Sequence, residues 1–187
     1  MSHLLELALA SGRVTNPPGR SSLHGEDHWK SVALLGLELA RHTRRSDLRF
    51  IYSFAVLHDL CRENDGDDLQ HGLRAAHLFD GLVADGYECP WAADLSYAIA
   101  HHVGSGRAPA DVDVNVGLCW DADRLNLWRV GIRPHNEYLT TRAARTKQAQ
   151  SYALMLWLRR YENEPLPSWD EIREVMYPCQ TMTSTAS

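Results

Sequence analysis

The chain lacks most of the features that would take it out of the ordinary globular class. Cysteine is scarce: Cys61, Cys89, Cys119 and Cys179 stand far apart and form no CxxC pair. That spacing argues against a thiolate zinc site and fits a reduced, cytoplasmic setting. No apolar run approaches the roughly 18 residues a membrane helix needs, so no membrane partner is expected. A basic excess is also missing, with 19 Lys and Arg against 24 Asp and Glu and a net charge of −5, so no nucleic-acid partner is expected. The opening Met-Ser-His-Leu-Leu-Glu has no basic stretch ahead of a long apolar one, and no signal peptide is expected. Alternation of apolar and polar residues, the signature of strands, is almost absent.

What is present is helical spacing. The 187 residues, 44% of them apolar, suit one domain with a proper core. Apolar residues recur every three or four positions, as in Val32, Leu35 and Leu39. The pattern predicts helices over Leu4 to Ala10, Glu26 to His42, and from an Asp47 cap to about Cys61. Further helices are expected from Asp68 or Gln70 to Ala84, Trp91 to Val103, Val114 to Val130 and Thr140 to Tyr161. A last one, Trp169 to Met176, follows a Ser168 cap. Gly12 to Gly25 reads as a loop, and Asn64 to Asp68 as a polar turn. The expectation is an all-α single domain. It has an N-terminal helix and loop (1–22), a helical core (23–130), C-terminal helices packing on that core (131–177) and a disordered Ser/Thr-rich tail (178–187).

The ten histidines are the anomaly. His24 and His28 lie four apart, on one face if both are helical. His58-Asp59 ends an apolar helix, His71-Gly72 opens one and His101-His102 closes one. Asp121-Ala122-Asp123 lies in another apolar helix. His3, His42, His77 and His135 read as incidental, and His24 as a loop or capping residue. A single histidine near a helix end is usually structural; the set is what carries weight. Asp59 follows Phe54-Ala55-Val56-Leu57-His58, so it emerges from an apolar interior, where a carboxylate is costly without a partner or a metal. Imidazole and carboxylate together suit manganese, iron, nickel, cobalt or zinc.

The order His28, then His58-Asp59, then Asp123 resembles the HD superfamily of metal-dependent phosphohydrolases. The likeness spans roughly Leu23 to Trp128, and includes the apolar lead-in to His58-Asp59 and the late Ala122-Asp123-Arg124-Leu125. It implies an all-helical HD-type core with His28, His58, Asp59 and Asp123 as metal ligands, Asp121 being the alternative to Asp123. His71 and His101 or His102 resemble the extra ligands of two-metal relatives, so one ion is expected and a second is allowed. Specific branches fit less well. Gly104-Ser105-Gly106 stands where the cyclic-dinucleotide branch carries Gly-Tyr-Pro, and Arg62 stands where 5′-nucleotidase relatives carry Glu.

The resemblance implies hydrolysis of a phosphate ester, of a nucleotide or related small molecule, by metal-activated water. Asp59 would hold the metal, Glu63 or Asp65 would act as general base, and Lys30, Arg62 and Arg124 would contact phosphate. Each has an ordinary alternative: Arg62 as a surface ion pair, Glu63 and Asp65 as turn residues, Arg124 as an anchor for Asp121. A di-iron oxygenase and a non-catalytic metal- or ligand-binding module are the rival readings, and a homodimer is left open.

Overall fold

The computed structural model describes residues 3–104 and 106–177. The expected tail lies outside them. Among the described residues there are eight α-helices: α1 (His3–Ala10), α2 (Glu26–Arg41), α3 (Leu48–Leu57), α4 (His71–Ala84), α5 (Ala92–His101), α6 (Val114–Leu125), α7 (Lys147–Tyr161) and α8 (Trp169–Met176). Two 3-10 turns, Asn126–Val130 and Asn136–Tyr138, follow α6. Among the described residues there is no strand, and no helix is long and apolar enough to cross a membrane. The fold is all-α.

Helix α3 is the centre. Every residue from Phe50 to Leu57 is buried, as expected of a helix that is apolar all round. It packs against α1, α2, α5, α6 and α8. Its start is fixed by Asp47, whose carboxylate accepts from the Arg49 N–H at 2.8 Å. Helix α2 lies across it with Trp29, Val32, Ala33, Leu35 and Leu39 inward. Gly36 makes that approach possible, since a Cβ there would collide with the Ile51 side chain. Helices α4 and α5 form the most extensive helix pair. Gly72 serves them similarly: a Cβ would stand 2.7 Å from the Ile99 carbonyl oxygen and 3.0 Å from that of Ala100. The C-terminal helices lie on this core, α7 against α2 and α8 against α2 and α3.

Three boundaries differ from expectation. Helix α3 stops at Leu57 rather than Cys61, so His58 and Asp59 sit in the turn that follows. Val114 to Val130 is α-helical only to Leu125, then tightens into a 3-10 turn that Gly131 ends in a left-handed conformation, φ 75°. The long helix expected from Thr140 begins at Lys147. The backbone N–H groups of Thr140 and Thr141 donate instead to the Asp121 carboxylate, each at 2.7 Å, and Thr146 caps the helix that does form.

Candidate metal centre

Six elements bring their ends to one place. The first turn of α2 supplies His28, and the turn after α3 supplies His58 and Asp59. The first residue of α4 is His71, the residue after α5 is His102, and the last turn of α6 carries Asp123. The loop before α2 adds His24. It is held there by Asn16, whose amide donates to the backbone oxygens of His24 and Asp59. All of these side chains are buried except Asp123, which is partly so.

Asp59 lies between two sets of donors. Its Oδ2 stands 3.5 Å from His28 Nε2 and 3.8 Å from His58 Nε2. His28 Nε2 is in turn 3.1 Å from His58 Nε2 and 3.2 Å from Asp123 Oδ1. The other oxygen, Oδ1, faces His71 Nε2 at 3.1 Å and His102 Nε2 at 3.7 Å, and those two nitrogens are 2.9 Å apart. Donors bonded to one ion at about 2.0–2.2 Å, in right-angled to trigonal positions, stand about 2.8–3.8 Å from one another. The spacings therefore match neighbouring positions around an ion, twice, with Asp59 shared. Among these residues the groups His24, His28 and Asp59; His28, His58 and Asp123; and His58, Asp59 and His102 could hold a metal ion.

The tautomers strengthen the fit. His58 Nδ1 lies 3.2 Å from the backbone oxygens of Phe54 and Ala55, and His102 Nδ1 lies 2.7 Å from that of Ile99. His71 Nδ1 meets the Asp68 backbone oxygen, and His28 Nδ1 meets Asn126 Oδ1 at 2.8 Å. A carbonyl oxygen can only accept, so each Nδ1 carries a proton, and a ring with no second proton presents a bare Nε2. The pairs His28–His58 and His71–His102 thus aim lone pairs at each other beside carboxylates. Such an arrangement needs a cation, whether proton or metal, among them.

Charge follows from burial and partners. Burial pushes His58 down to about 3, and burial helped by Arg129 lowers His28, so both rings are neutral ligands near pH 7. Burial alone would raise Asp59, but His58 and hydrogen bonds with His102, His24 and His71 outweigh it and hold the carboxyl well below the usual range. Asp123 is likewise depressed despite its burial, chiefly by its bond to His28. Burial lowers His102, yet its bond to Asp59 outweighs that and the ring is raised.

The site opens into a cavity of about 390 Å³. His24, Asp59, His71, His102 and Asp123 of the cluster line it, together with Ile132, Tyr138 and Leu139. Arg62, Arg124, Arg129 and Arg133 also line it. Three of these are committed. Arg62 donates to the Asn64 and Gly66 backbone oxygens and lies against the His71 ring. Arg124 donates to Gly104 and Tyr138 oxygens. Arg129 donates to Leu23 oxygen and to His24 Nδ1.

Of the residues singled out in the sequence, the fold brings together His28, His58, Asp59, His71, His102, Asp123, Arg62 and Arg124. It leaves others outside. His101 is exposed and rests on Tyr97, so His102 is the member of the pair that faces the site. Asp121 turns to the opposite side of α6, as a residue two positions from Asp123 must, and binds Thr140 and Thr141. Lys30 pairs with Glu26 at 3.0 Å, and Glu63 is largely exposed beside Arg74. Neither lines the cavity. Asp65 accepts from Ser21. Sequence reasoning missed His24, Asn126 and Arg129 as parts of the site. Only Asn126 had a spacing signal, three after Asp123; His24 lies in a loop and Arg129 in a 3-10 turn.

Comparison with protein-family models, with curated proteins and with solved structures finds no match to this chain.

Proposed function

We propose that the chain is a metal-dependent phosphoric ester hydrolase of the HD type, acting on a nucleotide or a phosphorylated molecule of similar size. The observation that carries this reading is the convergence of four histidine Nε2 atoms on Asp59 and Asp123, beside a cavity that Asp59, His71, His102 and Asp123 line. His28, His58, Asp59 and Asp123 would hold one divalent ion; Asp59, His71 and His102 would hold a second. A manganese, iron, nickel, cobalt or zinc ion so bound lowers the pKa of coordinated water and polarises a phosphoryl oxygen.

The remaining chemistry belongs to the side chains. Asp59 stays anionic through its histidine partners and presents one oxygen to each donor set. Arg62 fixes the loop that carries His71 and places positive charge beside the cluster. Among the described residues, Arg133 is the one lining arginine whose donors are uncommitted, so it is the guanidinium best able to take a phosphate directly. The cavity's volume falls within the usual range for small-molecule sites, and its apolar wall suits a ring. A screen of phosphate release from nucleotides, with manganese, nickel or cobalt added, tests the reading. Release is expected, abolished by Asp59→Ala, with KM raised about tenfold or more by Arg133→Ala. No release from any substrate would remove the hydrolase.

A second reading, a di-iron oxygenase, is favoured by the two donor sets sharing Asp59. Iron with oxygen-dependent turnover would support it. Anaerobic activity with magnesium or manganese would exclude it.

A further inference from the structure

A second cavity, of about 580 Å³, is lined in part by Thr140 and Thr141, which follow Leu139 of the first cavity's lining. Its lining includes four arginines, Arg44, Arg107, Arg142 and Arg145, and a single carboxylate, Asp113. That carboxylate is already committed, accepting from the Asn115 backbone and side chain at 2.8 and 2.7 Å to cap α6. The guanidinium groups of Arg44 and Arg142 are exposed and have neither an ion-pair nor a hydrogen-bond partner among the described residues. Arg107 donates one bond, to the Asn136 oxygen, and Arg145 donates through Nε and one Nη to the Leu139 and Thr140 oxygens. Both keep further N–H groups free.

Four like charges around one concavity repel one another, and the chain as a whole is acidic, at −5. The concentration is therefore local. All four cations are arginines, the residue whose planar fork matches phosphate bidentately. Among the described residues no lysine lines the cavity. A single phosphate engages forks that converge on one point, whereas linked phosphates can also reach forks spread around a lining of this size. Confinement of the charge to a cavity, on an acidic chain, distinguishes this from a nucleic-acid stripe. We infer that this cavity is a binding site for a small polyanion carrying two or more linked phosphates, separate from the metal centre. Two of its arginines also hold, through Asn136, Leu139 and Thr140, the segment that lines the first cavity at Tyr138 and Leu139. A ligand here would act on that segment.

Equilibrium dialysis of the full chain against radiolabelled pyrophosphate tests this. The wild type should bind, more weakly as salt rises. Arg44→Ala with Arg142→Ala should weaken binding about tenfold or more. Arg44→Lys with Arg142→Lys should lose only part of it, while Arg159→Ala, at an exposed arginine that lines neither cavity, should change nothing. Absence of wild-type binding, an unchanged affinity in the double alanine variant, or an equal loss in Arg159→Ala would each overturn the inference. Arg44 and Arg142 are exposed and have no partner among the described residues, so the melting point should stay near wild type. If the alanine pair melts early, the lysine pair and Arg159→Ala still decide the matter.

Discussion

The two donor sets around Asp59 are alike in chemistry and unlike in support. His28, His58 and Asp123 come from α2, α3 and α6, the helices that pack on one another through the core, and both histidines are fully buried. His71 and His102 come from α4 and α5, a pair that meets closely only because residue 72 is glycine. His71 further depends on a loop, through the Asp68 carbonyl and Arg62. The first set forms whenever the core forms. The second needs a particular helix approach and a particular loop, so its ion should be the weaker and the one lost alone.

The largest effect should separate the sets directly. In metal analysis, His28→Ala should remove the tighter ion and most of the total affinity, because Asp123 and His58 both meet in space at His28 Nε2. His71→Ala should remove only the weaker ion. Equal losses from both would show one undivided site. Next, Gly36→Ala and Gly72→Ala should each destabilise by about 1–3 kcal/mol in denaturant melts, through overpacking against Ile51 and against the α5 carbonyls respectively. Only Gly72→Ala should also weaken the second ion. If it melts early with both ions at wild-type affinity, the helix approach does not govern the site.

A smaller effect concerns the loop. Burial works against the Asp68 carboxyl, but its bonds from Arg74 and the Glu63 N–H hold it down at about 2, from 3.8. A depressed carboxyl contributes stability that is complete above the unfolded value and lost as pH falls through the folded one. Wild type should therefore exceed Asp68→Asn by about 2 kcal/mol at most above about pH 4, and the gap should close near pH 2. A gap independent of pH would remove this ion pair from the account. Smallest of all, Lys30→Ala and Glu63→Ala should each change stability by no more than about 0.5 kcal/mol and leave metal content intact, since both lie outside the cavity.

The helices were legible wherever apolar periodicity and a cap coincided, as at Asp47 and Ser168. Legibility failed where a distant side chain claimed the backbone. Thr140 and Thr141 look helical in sequence, but Asp121 takes their N–H groups, and no local pattern announces a partner 19 residues away. The candidate site was readable at His58-Asp59 and Asp123, because these are polar residues in apolar company. His101 and His102 could not be told apart, since adjacent residues at a helix end differ only in which way the last turn faces. His24 and Arg129 were missed because a loop and a 3-10 turn carry no periodicity to place them.

Elemental analysis of purified wild-type protein beside Asp59→Ala tests the central claim most directly. The shared carboxylate predicts a bound divalent transition metal in the wild type and its near-complete loss in the variant. A wild-type chain that takes up no metal under any divalent supply, or an Asp59→Ala chain that retains it in full, would contradict the account.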